Sequence, residues 1–273
     1  MRIKALLQKH TLGAYFLMAF SIAWVGSFLV VGPKYVRGEA LTFSDTLAAA
    51  GPMLIGPSLS CLGLTAFLDG KEGLRELLSR MTRSNVGARW FSPLLIFPAL
   101  ILLVAATLGV LVSPELAPTF FAFGLVIGLL AGIVEETGWM GYAYPRMQRG
   151  RNLLRTSVYL GLIHAFWHLP ADFLINSAIY GQNWLAYFLG FSAFILGLRV
   201  LIVWVYANTR SLLLAQLMHA SSTGFLAVIV PMGISATNWS VFYWVYAAGL
   251  GIIGAIVVRR YGADFVRRSS PGG

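Results

Sequence analysis

The chain has 273 residues, 58% of them hydrophobic and only 11% charged, and a mean hydropathy of +0.76. These values exclude a soluble globular domain, because apolar runs of roughly 18 residues or more recur along the chain, the signature of membrane-spanning helices. The net charge of +10 does not point to nucleic acid either: the basic residues fall between the apolar runs, with no basic face bearing interleaved aromatics, and suit anionic lipid head groups instead.

The N-terminal stretch MRIKALLQKHTLGAYFLMAFSIAWVGSFLVVG has a basic start and an apolar core too long for a cleaved signal peptide. It predicts an uncleaved first membrane helix over about 12–32. A second follows over about 47–68 and holds the single cysteine, Cys61, which can form neither an internal disulfide nor a cysteine metal site. KEGLRELLSRMTR then places Leu74, Leu77, Leu78 and Met81 on one face, an amphipathic helix lying at the interface. Further spans are expected over about 91–113 and 118–141. The stretch from Tyr142 to Arg155 is basic and weakly periodic, and is expected to run along the membrane surface. Four more spans follow over about 156–175, 185–208, 211–231 and 239–258. The tail RRSSPGG, 267–273, is expected to be disordered. The expectation is thus an all-α polytopic membrane protein, one transmembrane domain over 1–273 with about eight helices and short loops.

Topology follows from charge. With the N-terminus inside, every Lys and Arg except Lys34, Arg37 and Arg199 falls in an inside segment. This predicts an even number of spans and both termini in the cytoplasm of a bacterial cell membrane.

Ionisable side chains within spans are costly, and by default they mark function. Here they are Glu135, Glu136, His164, His168, Arg199 and His219. At 1.5 Å per residue, Glu135 lies ~9 Å from the inner end of its span, His164 and His219 ~12 Å, and His168 ~18 Å. His164 and His168 are four residues apart and share a face. Carboxylates and imidazoles at one level suit a zinc site or general-base hydrolysis. They also suit an ion relay in a transporter or polar contacts between helices. Adjacent helical residues point about 100° apart, so Glu135 and Glu136 cannot face one site equally. Arg146 is one partner open to Glu136. Arg199 could snorkel or pair with a carboxylate. Asp172, near the outer end of its span, reads as a solvated cap. Trp139 and Trp167 read as packing or groove residues.

EETGWMGYAYPR, HAFWHLP and LLLAQLMHASST, in that order, resemble the CAAX protease and bacteriocin-processing (CPBP, or ABI) family of intramembrane proteases, whose patterns are EExxxR, FxxxH and HxxxN or HxxxD. The resemblance covers a core of about 118–231. It implies eight membrane helices and an endopeptidase. Glu135 would activate water, assisted by Glu136. His168 would hold the glutamate or the water, and His219 with Thr223 would stabilise the oxyanion. No cofactor is required by that mechanism. Zinc is the option favoured by an older view of such proteins, with Glu135, His168 and His219 as ligands and His164 in reserve. The implied partners are a peptide or membrane-protein substrate and membrane lipids, and the implied roles are peptide maturation or bacteriocin self-immunity. Three positions depart from the patterns: Met140 replaces the arginine, His164 the phenylalanine and Thr223 the Asn or Asp. The missing cation would have to come from Arg146 or Arg199. A transporter built on the same Glu and His cluster, or a non-catalytic peptide- or lipid-binding protein, is the alternative.

Overall fold

The computed structural model describes residues 2–150, 152–231 and 233–265; the tail expected to be disordered lies outside them. Among the described residues there are helices and no strands. In chain order these are α1 (Arg2–Lys9), α2 (Thr11–Val36), α3 (Phe43–Leu68), α4 (Gly70–Met81), α5 (Ile96–Leu111), α6 (Gly124–Gly138), α7 (Tyr144–Met147), α8 (Leu153–Tyr180), α9 (Trp184–Thr209), α10 (Leu212–Ile229) and α11 (Ala236–Tyr261). Among the described residues, seven helical stretches are long and apolar enough to cross a membrane. One of them, Leu153–Thr209, has 57 residues, far more than the ~20 that a single crossing needs. It turns back at Gly181, where φ is +52°, and so comprises α8 and α9 packed against each other. The chain is an integral membrane protein of the all-α polytopic class.

The helix ends follow local chemistry. Thr42 caps α3 by accepting from the Asp45 N–H, while Asp45 reaches back to the Thr42 N–H. Asn152, Ser211 and Ser235 cap α8, α10 and α11 from one side only, each side chain accepting from the backbone N–H three residues on. α4 forms where the amphipathic pattern places it, but only Leu77 of its four apolar residues is buried; Leu78 is 58% exposed. That exposure fits a helix lying at an interface.

Two expectations are corrected. The fourth span begins at Gly124 rather than 118. Pro118 cannot donate a backbone hydrogen bond, and the residues after it are extended: the N–H groups of Thr119 and Phe121 donate to the carbonyls of Ile229 and Val228 at the end of α10. At its other end the span does not emerge near 141. It passes into a π-helical turn over Trp139–Ala143 and then α7, with Tyr142, Tyr144 and Met147 buried. The first part of the stretch taken for a surface segment is therefore interior, while Arg149, Gly150 and Arg155 are exposed as expected.

The tightest pairing is α6 against α10. Gly124, Gly128 and Gly132 recur every four residues on α6, and a Cβ at any of them would collide with the backbone of α10 around Gln216, Ala220 and Gly224. Small residues at this spacing let two helix backbones touch. The Gln216 side chain then donates to the Ile133 carbonyl at 3.2 Å and to the Thr137 hydroxyl at 3.1 Å. Gly128→Val is expected to force the two helices apart at a cost of ~1–3 kcal/mol or more, measured as a lower unfolding midpoint of the purified protein in detergent.

Candidate active site

One end of the bundle gathers α4, α7, the C-terminal ends of α9 and α11 and the N-terminal ends of α8 and α10. Hydrogen bonds tie these pieces together: Arg80 to Tyr206, Ser211 to the Arg83 carbonyl, and Asn208 to the Phe265 carbonyl. Measured along the helices from this end, Glu135, Glu136, His164, Arg199 and His219 lie roughly 10–18 Å deep, in line with the levels expected from the sequence.

Glu136 is fully buried and fully committed. The Arg199 guanidinium donates to both of its oxygens at 2.6 Å, a bidentate pair between α9 and α6. The His219 Nδ1–H donates to the same carboxylate at 2.6 Å. Arg199 is itself fully buried and is the sole charged residue of α9. Arg146 is elsewhere: it donates to Asp69 at 3.2 Å and lies over the Tyr142 ring at 3.5 Å. The cation missing at Met140 is therefore supplied from another helix, by Arg199.

Glu135 points away from that pair. Its Oε2 meets His164 Nε2 at 3.1 Å. Arg199 also reaches His164, with its Nε 3.2 Å and its Nη2 2.9 Å from Nδ1. A guanidinium can only donate, so Nδ1 must be the acceptor. The proton of this imidazole therefore sits on Nε2 and is given to Glu135. The geometry assigns the tautomer without observing the hydrogen. Glu135 Oε1 takes no side-chain hydrogen bond among the described residues, and neither ring nitrogen of His168 takes one. The His164 and His168 rings lie 5.0 Å apart. Trp139, Trp167 and Phe191 wall them in, at 5.0 Å from His164, 4.6 Å from His168 and 5.1 Å from His168 respectively. The indole N–H groups of Trp139 and Trp167 are buried without partners.

The donor atoms close enough to share a metal ion belong to Glu135, His164 and His168, all within 4.8 Å of one another. This is not the trio expected from the sequence, since His219 is turned to Glu136. His164 offers no lone pair at Nε2 while Arg199 holds its Nδ1, and the guanidinium adds a fixed positive charge beside the trio. That leaves Glu135 and His168, one ligand short of the usual three-residue catalytic zinc site.

Thr223 lies one turn beyond His219 on α10, half-buried. Asp172 corrects another expectation: it is not a solvated cap. It accepts from Trp184 Nε1 at 2.8 Å, Asn176 Nδ2 at 3.0 Å and Tyr187 Oη at 3.3 Å, and so fastens α8 to α9. The structure thus brings Glu135, Glu136, His164, Arg199 and His219 into one network, with His168 against it. The sequence signal for the role of Arg199 was its isolation in an apolar run, which demands a buried counter-charge.

Residues 117–225 match the family model described as type II CAAX prenyl endopeptidase Rce1-like. The chain is also 28% identical over 231 residues to CAAX prenyl protease 2 of Methanococcus maripaludis, covering 77% of this chain and 82% of that protein. Over this core the chain is similar to CAAX proteases. The CPBP resemblance carried by EETGWMGYAYPR, HAFWHLP and LLLAQLMHASST is borne out, and with it a membrane protease acting on a peptide or protein substrate. The matched stretch contains every residue of the buried network.

Removing one partner of a buried ion pair costs about 3–5 kcal/mol. Arg199→Met is expected to destabilise this protein on that scale. Adding Met140→Arg, which returns a cation to the turn after Glu136, is expected to recover part of the loss. Unfolding of both variants in mixed micelles measures the two effects.

Proposed function

We propose that this protein is an intramembrane endopeptidase in which Glu135 activates the attacking water. The observation that carries this reading is the unequal commitment of two adjacent carboxylates. Glu136 spends both oxygens on Arg199 and His219. Glu135 spends one, on His164, which orients it. Its free oxygen and the unpartnered His168 are the groups left to hold a water molecule and to take its proton. The resulting hydroxide attacks the scissile carbonyl carbon. The oxyanion of the tetrahedral intermediate is met by His219 and the Thr223 hydroxyl. His219 gives Nδ1–H to Glu136, so it can meet the oxyanion from Nε2 only as the imidazolium, with the one Glu136 carboxylate shared between that ring and Arg199. Glu135 then returns its proton to the departing amine as the C–N bond breaks. In this scheme Glu136 is a positioning residue.

No step requires a metal. The fixed proton on His164 and the nearby guanidinium support a glutamate mechanism over a zinc one. The substrate is a peptide or membrane protein reaching the site from the basic end of the bundle. By the charge asymmetry, that end faces the cytoplasm of a bacterial cell. Peptide or protein maturation is the broad role, with bacteriocin self-immunity one form of it. CAAX prenyl protease activity, the activity in the name of the Methanococcus maripaludis relative, is another form open to this chain.

The test is cleavage of a quenched peptide library by the protein in lipid. Glu135→Gln and His168→Ala are each expected to lower turnover by ~10²-fold or more, the scale of a lost general base. A zinc chelator is expected to leave wild-type turnover unchanged. Turnover that survives Glu135→Gln would sink the mechanism, and turnover lost to chelator would restore the metal.

A further inference from the structure

Five arginines, Arg80, Arg83, Arg146, Arg149 and Arg210, line a cavity of about 430 Å³ where α4, α7 and the end of α9 meet. That volume lies within the ~300–1,000 Å³ of ordinary small-ligand sites. The one acidic side chain lining it, Glu76, is already paired with Arg80. Arg80 is further held by the Tyr206 hydroxyl and the Gly141 carbonyl, both at 3.0 Å, and Arg146 by Asp69. Arg83, Arg149 and Arg210 are exposed and have no acidic partner among the described residues.

These three are not merely adrift on a surface. The Ser211 hydroxyl donates to the Arg83 carbonyl at 2.5 Å, which fixes the Arg83 segment beside Arg210. Arg210 closes α9 in the left-handed conformation, with φ at +55°, where glycine is the usual residue. An arginine kept in that conformation accepts backbone strain, and it lines the same cavity as other arginines that no carboxylate neutralises. A bound anion would neutralise them. The cavity also lies where apolar helices end: α4 follows directly on α3, Arg210 terminates α9, and Arg146 lies in the continuation of α6. Basic pockets at that level meet the phosphates of lipid head groups.

We propose that this cavity binds the phosphate of an anionic phospholipid head group, clamped by Arg83, Arg149 and Arg210. The proposal does not depend on the peptidase reading, because none of the three arginines belongs to the Glu135 network. An occupant would rest on the wall formed by Arg80, whose hydrogen bond to Gly141 lies in the π-helical turn just after the glutamates.

The experiment uses the full chain in nanodiscs of phosphatidylcholine, with or without a minor fraction of phosphatidylglycerol, and reads retained lipid by native mass spectrometry. Preferential retention of phosphatidylglycerol is expected. It should fall by ~10-fold or more in Arg83→Gln/Arg149→Gln/Arg210→Gly, on the scale of losing several head-group contacts. Arg210→Gly alone keeps the left-handed backbone at lower strain, so its unfolding midpoint should hold or rise while retention drops. That separates loss of the site from loss of the fold. Equal retention of the two lipids, or a preference unchanged in the triple variant, would overturn the proposal. Inorganic phosphate that binds through these arginines without any retained phosphatidylglycerol would overturn it in favour of a soluble anion.

Discussion

The buried pair between Arg199 and Glu136 is the interaction on which the rest of the site depends. Two full charges sit in the interior of an apolar bundle, where neither could stay alone. Their bidentate geometry at 2.6 Å fixes α9 against α6, and the hydrogen bond from His219 adds α10. Arg199 then has a second use. Its remaining donors set the proton of His164, and that proton orients Glu135. A side chain that need not touch the reacting atoms thus determines which oxygen of Glu135 is occupied and which is free.

The surrounding helices are shaped to permit this. The glycine stripe of α6 removes the space that side chains would take between α6 and α10, so that short side chains bridge the gap. Just beyond the glutamates the helix widens into a π turn over Trp139–Ala143. Turns of this kind are rare and concentrate at functional sites. The carbonyls of Ile133 and Val134, ahead of the turn, take side-chain donors from Gln216 and Ser58 respectively. α6 is thereby gripped from α10 and from α3 at the place where it departs from regular geometry.

Much of this was legible in the sequence, and the illegible part has physical causes. Hydropathy located the long helices because a membrane span needs length and apolarity and little else. The level of the Glu and His residues followed from rise per residue. Pairing did not follow. A lone arginine in α9 requires a carboxylate, but Glu135 and Glu136 were equally available by depth, and only the rotation of α6 separates them. The same limit misplaced Asp172, whose burial depends on Trp184 and Tyr187 of the next helix. The π turn left no mark in hydropathy, so the buried stretch around Tyr142 and Tyr144 read as surface. Met140 was read as a missing cation; in this chain the cation beside Glu136 stands on α9, as Arg199.

The separation of the paired charges along the chain carries a consequence for biogenesis. Glu136 and Arg199 are 63 residues apart, and Glu136 and His219 are 83 apart. α6 is therefore synthesised, with two carboxylates in its final turns, well before either counter-charge exists. A carboxylate near the centre of an inserting helix costs about 2.5–3.5 kcal/mol. α6 is long and apolar enough to span, but it carries an uncompensated cost that α9 and α10 later offset. The network around Glu136 is therefore complete only once α10 has been added to the bundle.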